Sequence, residues 1–376
     1  MTIPREVFEQ TVLSFFQPVR KFLDDPTVSE VMINGPNEIW VERKGKVTLT
    51  DAKFVNLEAL ESAVRNLAQF VGRHVDEHRP ILEARLPDGS RVEAIMPPAS
   101  PDGPSVAIRR FFRETLTIER LIGFGSLTGD AAGCIEALVA SKNNIIIAGG
   151  TGSGKTSLLN VLSAFIGDGE RIVVIEDSRE LQLQKPHVVM LEARPPDAKG
   201  RGKVSIRDLF KATLRMRPDR IVVGEIRGGE ALDLVQAMTS GHGGSLCTVH
   251  ATYPIDTMNR LETMALMSDV QIPLFALRAQ VGSAVDIVVQ TSRLQDGSRC
   301  ITHITQVVGH DAEKGYILED LFLRKYKGKD PDGGIISEFR PTGHLPRSLE
   351  MIRAMGMELP PSMYEARERM KAGQDT

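Results

Sequence analysis

The 376-residue sequence predicts an α/β protein with a smaller α+β domain on its N-terminal side. Two observations lead to this prediction. Short β-rich runs dominate residues 28–112, whereas apolar strands alternate with amphipathic helices from residue 123 onwards. Such alternation is typical of a mainly parallel sheet covered by helices. The length, about two average domains, agrees with this division.

An N-terminal helical segment is predicted before the first strand. Apolar residues recur at helical spacing from Val7 to Leu23, and Pro18 is expected to kink or split the helix. We expect this apolar stripe to pack against its own protein; a helix on a membrane surface or on a partner is the alternative. The predicted order is helical segment 1–27, α+β domain 28–112, polar linker 113–122 and second domain 123–376.

Each domain has its own pattern of expected elements. In the α+β domain these are strand 30–33, strands within 38–50 around a turn at Lys44-Gly45, helix 57–70, strands within 81–96, and strand 105–111. In the second domain they are apolar strands at 144–148, 171–175, 187–191, 220–223 and 245–249, with helices such as 157–166 and 230–238. A β-hairpin around Asp296-Gly297 and a helical tail are predicted to close the chain.

Composition excludes several classes of protein. Apolar residues make up 41%, charged residues 25%, and the net charge is -3, which disfavours a disordered chain or a strongly basic nucleic-acid binder. The three cysteines, Cys134, Cys247 and Cys300, are too scattered for a disulfide framework or a four-cysteine zinc site. No apolar run approaches the roughly 18 residues of a spanning helix. We expect a protein of the reducing cytoplasm without a transmembrane segment.

A glycine-rich motif follows the strand predicted at 144–148. Residues 149–156 read Gly-Gly-Thr-Gly-Ser-Gly-Lys-Thr, the pattern G-x-x-x-x-G-K-[ST] between a strand and a helix. Glycines let the backbone curl so that N–H groups and the positive helix end point at the β- and γ-phosphates. Lys155 would neutralise phosphate charge and Thr156 would hold Mg²⁺. The residues predicted to bind nucleotide are Gly150, Thr151, Gly152, Ser153, Gly154, Lys155, Thr156 and Ser157.

Acidic residues follow two other apolar strands. Glu225 comes directly after one of them, and it is our candidate for ordering Mg²⁺ through water together with Thr156. Glu176 and Asp177 follow another strand, with Glu180 one turn later, and these acids are candidates for ordering the attacking water. Capping of the next turn is the alternative for either group.

Two histidines surround the strand predicted at 245–249. His250 ends this strand, at the sheet edge where ligands of parallel sheets bind, so we expect it to join the phosphate site. His242 precedes the strand in a Gly-His-Gly-Gly segment. For His242 a structural role and a functional role remain equally open.

Arginines of the first domain form a second candidate group. The residues from Leu86 to Ser90 suit a three-residue hairpin loop with Gly89 in the left-handed conformation, which places Arg85 opposite Arg91 on the same side of the sheet. A phosphate between two facing arginines would relieve their repulsion. Arg109 is a third candidate, since only one residue of the Arg109-Arg110 pair can share that face. Solvated surface arginines are the alternative.

With these residues in place, the chain resembles the secretion ATPase superfamily of type II and type IV secretion and type IV pili, most closely the CpaF-type ATPases of Tad pili. The resemblance extends from about Val28 to Pro361. Its marks are 85–91 with Pro97-Pro98, 108–110, 149–156, 175–177 with 180–183, 214–219, 224–227, 241–245, His250, 339–343 and 359–361. Three cysteines cannot form the four-cysteine zinc motif of type II secretion and type IVa extension ATPases.

The resemblance implies a RecA-like P-loop ATPase domain and a role for each matching residue. It makes Glu176 the acidic-box glutamate that activates water, Glu225 the Walker B glutamate on the magnesium side, and His250 the sensor of the γ-phosphate. Gly224 stands where many P-loop proteins have aspartate, which leaves the division of roles between the two glutamates open. The arginines that reach the nucleotide from the N-terminal domain would be Arg85, Arg91 and Arg109.

The resemblance also implies an assembly and a cellular role. The protein would be a hexameric, Mg²⁺-dependent ATPase, cytoplasmic and peripheral to the inner membrane, acting on platform proteins to power assembly, with retraction as a further option, of a Tad or type IV-like pilus. A type IV secretion ATPase is the main alternative. A nucleic-acid translocase is disfavoured by the net charge of -3 and the single Trp. A non-hydrolysing, nucleotide-gated subunit is disfavoured by Glu176 and Glu225.

Overall fold

The computed structural model of the chain describes residues 11–43, 45–110, 116–197, 200–331 and 333–374. Two compact units are present, and they are called unit 1 and unit 2 below. Unit 1 is Met1–Glu114 with Pro196–Arg201, and unit 2 is Thr115–Pro195 with Gly202–Thr376. A sheet-rich first unit and a larger α/β second unit confirm the predicted fold class.

Unit 1 is built on a six-stranded antiparallel sheet. Its elements are α1 (Gln17–Asp24), β1 (Val28–Asn34), β2 (Glu38–Arg43), β3 (Lys46–Leu49), α2 (Leu57–Phe70), β4 (Ile81–Arg85), β5 (Arg91–Ile95) and β6 (Ser105–Arg109). The strand order is β3-β2-β1-β6-β5-β4. The predicted strand 105–111 runs past β6 into residue 111, which lies outside the described residues, as do residues 113–115 of the predicted linker.

The N-terminal apolar stripe belongs to the core of unit 1. Residues 11–15 are helical, and α1 resumes at Gln17 with Pro18 at a first-turn position, where its missing N–H costs nothing. The predicted split of the helix at Pro18 is therefore confirmed. Phe16 and Val19 are fully buried in one cluster with residues of the sheet. The described part of the stripe therefore packs against its own protein. Residues 1–10 lie outside the described residues.

Unit 2 has a nine-stranded mixed sheet. Its strands are β7 (Ile145–Gly149), β8 (Ile172–Glu176), β9 (Val188–Glu192), β10 (Arg220–Val223), β11 (Leu246–Val249), β12 (Ile287–Arg293), β13 (Arg299–Asp311), β14 (Gly315–Lys329) and β15 (Ile335–Pro341). Its helices are α3 (Ile118–Gly123), α4 (Gly129–Ala140), α5 (Lys155–Ser163), α6 (Ile206–Thr213), α7 (Glu230–Thr239), α8 (Pro254–Leu266), α9 (Leu274–Ala284), α10 (Leu349–Ala354) and α11 (Pro361–Lys371).

Six neighbouring strands of this sheet are parallel, in the order β12-β7-β11-β10-β8-β9. Helices cover both faces, because alternate residues of β7 enter different cores. Ile145 and Ile147 join the core with α4 and α5, whereas Ile146 and Ala148 join the core with α7, α8 and α9. The carboxyl ends of the parallel strands therefore meet at one edge of the sheet.

The last third of unit 2 departs from the sequence prediction. A single late hairpin was expected around Asp296-Gly297, and it is present between β12 and β13 with Gly297 at φ +87°. The strands that flank it are long, and β13, β14 and β15 extend the sheet as an antiparallel ribbon. Strand β12 itself pairs in parallel with β7, a pairing that places the start of the hairpin beside the glycine-rich motif.

Candidate functional site

The glycine-rich segment forms the predicted loop between strand β7 and helix α5. Gly152 and Gly154 have φ values of +70° and +96°, conformations that side chains rarely adopt, and Gly154 immediately precedes the helix. Gly149 is packed so closely that an added Cβ would lie 2.2 Å from Thr291 Oγ1 and 2.4 Å from Ser153 Oγ. Close packing and backbone geometry explain why glycine occupies these positions.

Donors inside the loop converge on the carbonyl oxygen of Gly150. Lys155 Nζ donates to it at 2.9 Å and Ser153 Oγ at 2.8 Å. Lys155 is only 7% exposed, so its ammonium is held at this end of the helix rather than in solvent. A cluster of hydrogen-bond donors around a backbone oxygen at a helix N-terminus is suited to bind phosphate oxygens in place of that backbone oxygen.

The remaining residues of the motif lie around this loop. Thr156 is half-buried in the first turn of α5, and Ser157 beside it is exposed. Gly150 and Thr151 are exposed at the outer side of the loop. Hence residues 150–157 all lie on the loop or on the first helical turn, with Lys155 and Ser153 facing inward.

His250 and Glu225 join Lys155 in a continuous chain of polar contacts. His250 Nδ1 lies 3.4 Å from Lys155 Nζ, and His250 Nε2 lies 2.8 Å from Glu225 Oε1. Lys155 has only protons to give, so the imidazole accepts at Nδ1 and donates from Nε2, which is the neutral tautomer. Burial, followed by the positive charge of Lys155, lowers the pKa of His250 below its usual value. A neutral His250 is consistent with both contacts.

Arg227 completes this chain on the far side of Glu225. Its guanidinium donates from Nε to Glu225 Oε2 at 2.9 Å and lies 3.7 Å from Asp177 Oδ2. Glu225 is therefore fixed from both sides, by Arg227 and by His250. The sequence motif 224–227 contains Arg227, but no role was predicted for it, since neither its partner nor its orientation is visible in residue spacing.

Glu176 is the last residue of β8, and it lies against Gly224, the residue before Glu225. Its Oε1 accepts hydrogen bonds from the backbone N–H groups of Glu180 and Leu181, at 2.9 and 3.0 Å, and the residue is 3% exposed. A Cβ at Gly224 would lie 2.9 Å from Glu176 Cγ. This close approach gives a physical reason for glycine rather than aspartate before Glu225. The structure thus brings both glutamates to the same edge, whereas Asp177 is exposed.

The two histidines lie at opposite edges of the sheet. His250 directly follows β11, whereas His242 precedes it, where its backbone carbonyl accepts from Ser245 Oγ at 2.9 Å. Because β11 is parallel to β7, only His250 is on the side of the glycine-rich loop. His242 is therefore separated from the site by the length of a strand.

In unit 1 the predicted hairpin is confirmed. Leu86 N–H donates to Ser90 O at 2.9 Å, Gly89 has φ +94°, and Arg85 pairs with Arg91 across the ladder. Arg91 in turn pairs with Arg109 on β6. The three predicted arginines consequently occupy one row on one face of the sheet. Arg110 has the opposite orientation and donates to the carbonyl oxygen of Val28 at 3.1 Å.

Residues of β12 and β13 were missed by sequence reasoning. Thr291 Oγ1 lies 2.8 Å from Ser153 Oγ and donates to Ala148 O at 3.0 Å, which ties β12 to the glycine-rich loop. Arg299 Nε donates to the carbonyl oxygen of Gly152 at 2.7 Å. The available signal was the apolar run that starts at residue 287 and leads into the predicted hairpin. The sequence does not show that this strand pairs in parallel with β7.

The described residues contain no group of three or more His, Cys, Asp or Glu side chains suited to hold a metal ion. Mg²⁺ in nucleotide sites takes hydroxyl and carboxylate oxygens beside phosphate oxygens, and Thr156 and Glu225 carry oxygens of these two kinds. In the same parts of the chain, none of the helices combines the length and apolar character needed to cross a membrane.

The fold and the motif at its edge define an α/β protein of the P-loop class. Residues 13–317 match the family described as type II/IV secretion system protein, and the chain belongs to this family. It is 34% identical over 302 residues to the type IV secretion system protein PtlH of Bordetella pertussis, covering 74% of this chain and 89% of that protein.

A further relative agrees with this assignment, and a solved structure agrees with the fold. The chain is 31% identical over 301 residues to a putative conjugal transfer protein of Mycobacterium tuberculosis, covering 78% of this chain and 85% of that protein. The crystal structure of the Legionella pneumophila ATPase DotB is similar with a TM-score of 0.54 and 19% identity, covering 80% of this chain and 81% of that one. The likeness to DotB bears on the fold alone.

Proposed function

We propose that the chain is a Mg²⁺-dependent ATPase that powers a type IV-like pilus or secretion machine, with a Tad pilus as the specific system. The observation that carries the proposal is the continuous chain from Gly150 through Lys155 and His250 to Glu225. It connects a phosphate-binding loop to an acid on another strand. Glu176 at the same edge supplies the base that hydrolysis requires in addition.

In this proposal Lys155 exchanges its contact with Gly150 O for the β- and γ-phosphates of ATP, and backbone N–H groups of 152–156 supply the other donors. Mg²⁺, when bound, neutralises charge between the phosphates. Thr156 and Glu225 would hold it, in part through water. His250, neutral and next to Lys155, is placed to contact the γ-phosphate.

The two glutamates have different surroundings, and we propose different roles for them. Glu176 is fixed by two backbone N–H groups through one oxygen, which suits a base that orients a water molecule for in-line attack. The carboxylate of Glu225 accepts hydrogen bonds from His250 and Arg227. This suits a group whose contacts change when the γ-phosphate and the metal bind or leave. Water attack would produce ADP and phosphate.

Arg85, Arg91 and Arg109 are proposed to contribute positive charge to the nucleotide from unit 1. The three guanidinium groups stand in one row, with Glu30 opposite Arg109, and their positive charge would stabilise a polyphosphate. We further propose a homohexamer that is cytoplasmic, is peripheral to the inner membrane, and acts on membrane platform proteins without direct nucleic-acid contact. These features follow from the family resemblance.

The type IV secretion ATPase is the second candidate function. The names of relatives at 31–34% identity support it, because they are a conjugal transfer protein and a type IV secretion protein. The same P-loop chemistry would serve either machine. Neighbouring genes for a small pilin and two membrane platform proteins would support the Tad system, whereas a conjugation cluster would support the alternative.

The loss of Lys155 tests the ATPase assignment. Lys155→Ala removes the cation at the phosphates, so we expect ATP turnover of the full chain to fall by about 100-fold or more. Phosphate release is measured with and without Mg²⁺, and Lys46→Ala, on an exposed strand of unit 1, is the control. Hydrolysis by Lys155→Ala near the wild-type rate would refute the assignment.

A further inference from the structure

A hairpin of unit 2 places two arginines against the glycine-rich loop. Strands β12 and β13 are connected after Arg293 and before Arg299, and these two residues pair across the ladder. Because Thr291 of β12 pairs with Gly149 of β7, the hairpin begins two residues beyond the loop edge. The arginines are thus carried by the neighbouring strand rather than by the motif.

Both side chains lie against glycines with positive φ. Arg299 Nε donates to Gly152 O at 2.7 Å, and its Cδ lies 3.7 Å from where a Cβ on Gly154 would be. Arg293 Nη1 lies 3.5 Å from the corresponding position on Gly152. Both arginines therefore lie against the loop backbone, and Arg299 is hydrogen-bonded to it.

The hydrogen bond from Arg299 fixes one peptide group of the loop. The carbonyl of a peptide and the N–H of the following residue point in opposite directions. With Gly152 O held by Arg299, the N–H of Ser153 points to the inner side, where it lies 3.4 Å from Gly150 O. Glycine-rich backbone otherwise has many accessible conformations, and restricting them lowers the entropy cost of binding.

The hairpin is itself firmly held. Ser126 Oγ donates to the carbonyl oxygen of Arg299 at 2.7 Å, and Ile335 N–H on β15 donates to Asp296 Oδ2 at 2.9 Å. Leu294 N–H closes the turn by donating to Ser298 O at 2.8 Å. Anchoring on both sides makes the hairpin a rigid base for the two arginines.

We propose that Arg299 and Arg293 form a brace that holds the glycine-rich loop in its phosphate-binding conformation and adds positive charge beside the bound polyphosphate. Both are positioning residues. The proposal rests on nucleotide binding by this loop, and it identifies the ligand as a nucleoside di- or triphosphate. Since the brace acts on the loop, ADP and ATP should depend on it to a similar degree.

Equilibrium binding of fluorescent ADP and of a non-hydrolysable ATP analogue to the full chain tests the brace. Arg299→Met keeps an unbranched side chain but has no N–H donor, so it should weaken both by about 10-fold, the value of one charged hydrogen bond, with an unchanged melting temperature. Arg299→Lys keeps the charge, but its nitrogen lies one atom further along the side chain, so it should restore little affinity. Arg293→Met should weaken both ligands by less than Arg299→Met, and Arg353→Met, exposed on α10, is the control.

Two results would overturn the brace. Wild-type affinity in Arg299→Met would show that the loop needs no support from the hairpin, and full rescue by Arg299→Lys would show that charge alone acts. A wild-type chain that binds neither nucleotide would instead refute the nucleotide site as a whole. The two failures are therefore distinguishable.

Discussion

The two sheets of this protein collect charged residues in different ways. In unit 1, antiparallel pairing sets residue opposite residue, so Arg85, Arg91 and Arg109 form a row across three strands. In unit 2, parallel pairing instead aligns strand ends, so Glu176 and His250 reach the same edge although they are distant in sequence. The first arrangement sets three arginines side by side, with Glu30 opposite Arg109 on the next strand, whereas the second brings acids and bases together at one edge.

The difference has a chemical consequence. A row of arginines can stabilise negative charge but cannot accept a proton from water, because guanidinium remains protonated. The edge of unit 2 offers an ammonium, an imidazole and the carboxylate of Glu225 in one chain of polar contacts, and the carboxylate of Glu176 lies at the same edge. Unit 2 is accordingly where we place the reaction, and unit 1 is where we place additional charge stabilisation.

The first prediction separates these two contributions. Arg85→Gln and Arg91→Gln should each lower kcat/KM for ATP by about 10- to 100-fold, the value of one or two charged hydrogen bonds to phosphate. Steady-state phosphate release by the full chain measures the effect. Arg65→Gln, on an exposed i,i+4 pair of α2, controls for the loss of an arginine from unit 1. Unchanged kcat/KM in both site variants would return these arginines to the role of solvated surface residues.

A smaller effect is expected from protonation of His250. Its folded-state pKa is depressed by burial and by Lys155, so the unfolded chain binds its proton at a higher pH than the folded chain. The stability linked to this residue is present above about pH 6.5 and is lost as the pH falls through the lower folded pKa. His250→Asn should therefore show a shallower loss of stability between about pH 7 and pH 5.

Denaturant unfolding at several pH values measures this difference. His78→Asn, an exposed residue of unit 1, provides the matched control. An identical pH dependence for wild type and His250→Asn would contradict a depressed pKa, and with it the neutral imidazole between Lys155 and Glu225.

Sequence patterns predicted much of this architecture because strong local signals mark it. Helix Leu57–Phe70 and strand Arg220–Val223 have the predicted bounds, since each is a strongly apolar-patterned run with clear ends. The pairing of Arg85 with Arg91 was predictable because Gly89 restricts the turn type and the turn sets the register. Glycine-rich loop, strand and helix were recognisable together as one motif.

Other features depend on pairing between distant segments. Arg299 contacts Gly152 only because β12 lies parallel to β7, and nothing near either residue in sequence specifies that neighbour. The engagement of Glu225 by Arg227 depends on side-chain orientation after β10. The packing of Gly224 against Glu176 follows from the pairing of β8 with β10. Tertiary contacts of this kind have no periodic signal along the chain.

Substitution of Glu176 by glutamine tests the central claim most directly, because it separates nucleotide binding from activation of the attacking water. Glutamine keeps an oxygen for the N–H groups of Glu180 and Leu181 but loses the basic carboxylate. Glu192→Gln, at the end of neighbouring strand β9, is the control. We predict wild-type affinity for Mg²⁺-ATP in Glu176→Gln with turnover lowered by about 100-fold or more. Hydrolysis at the wild-type rate by this variant would contradict the account.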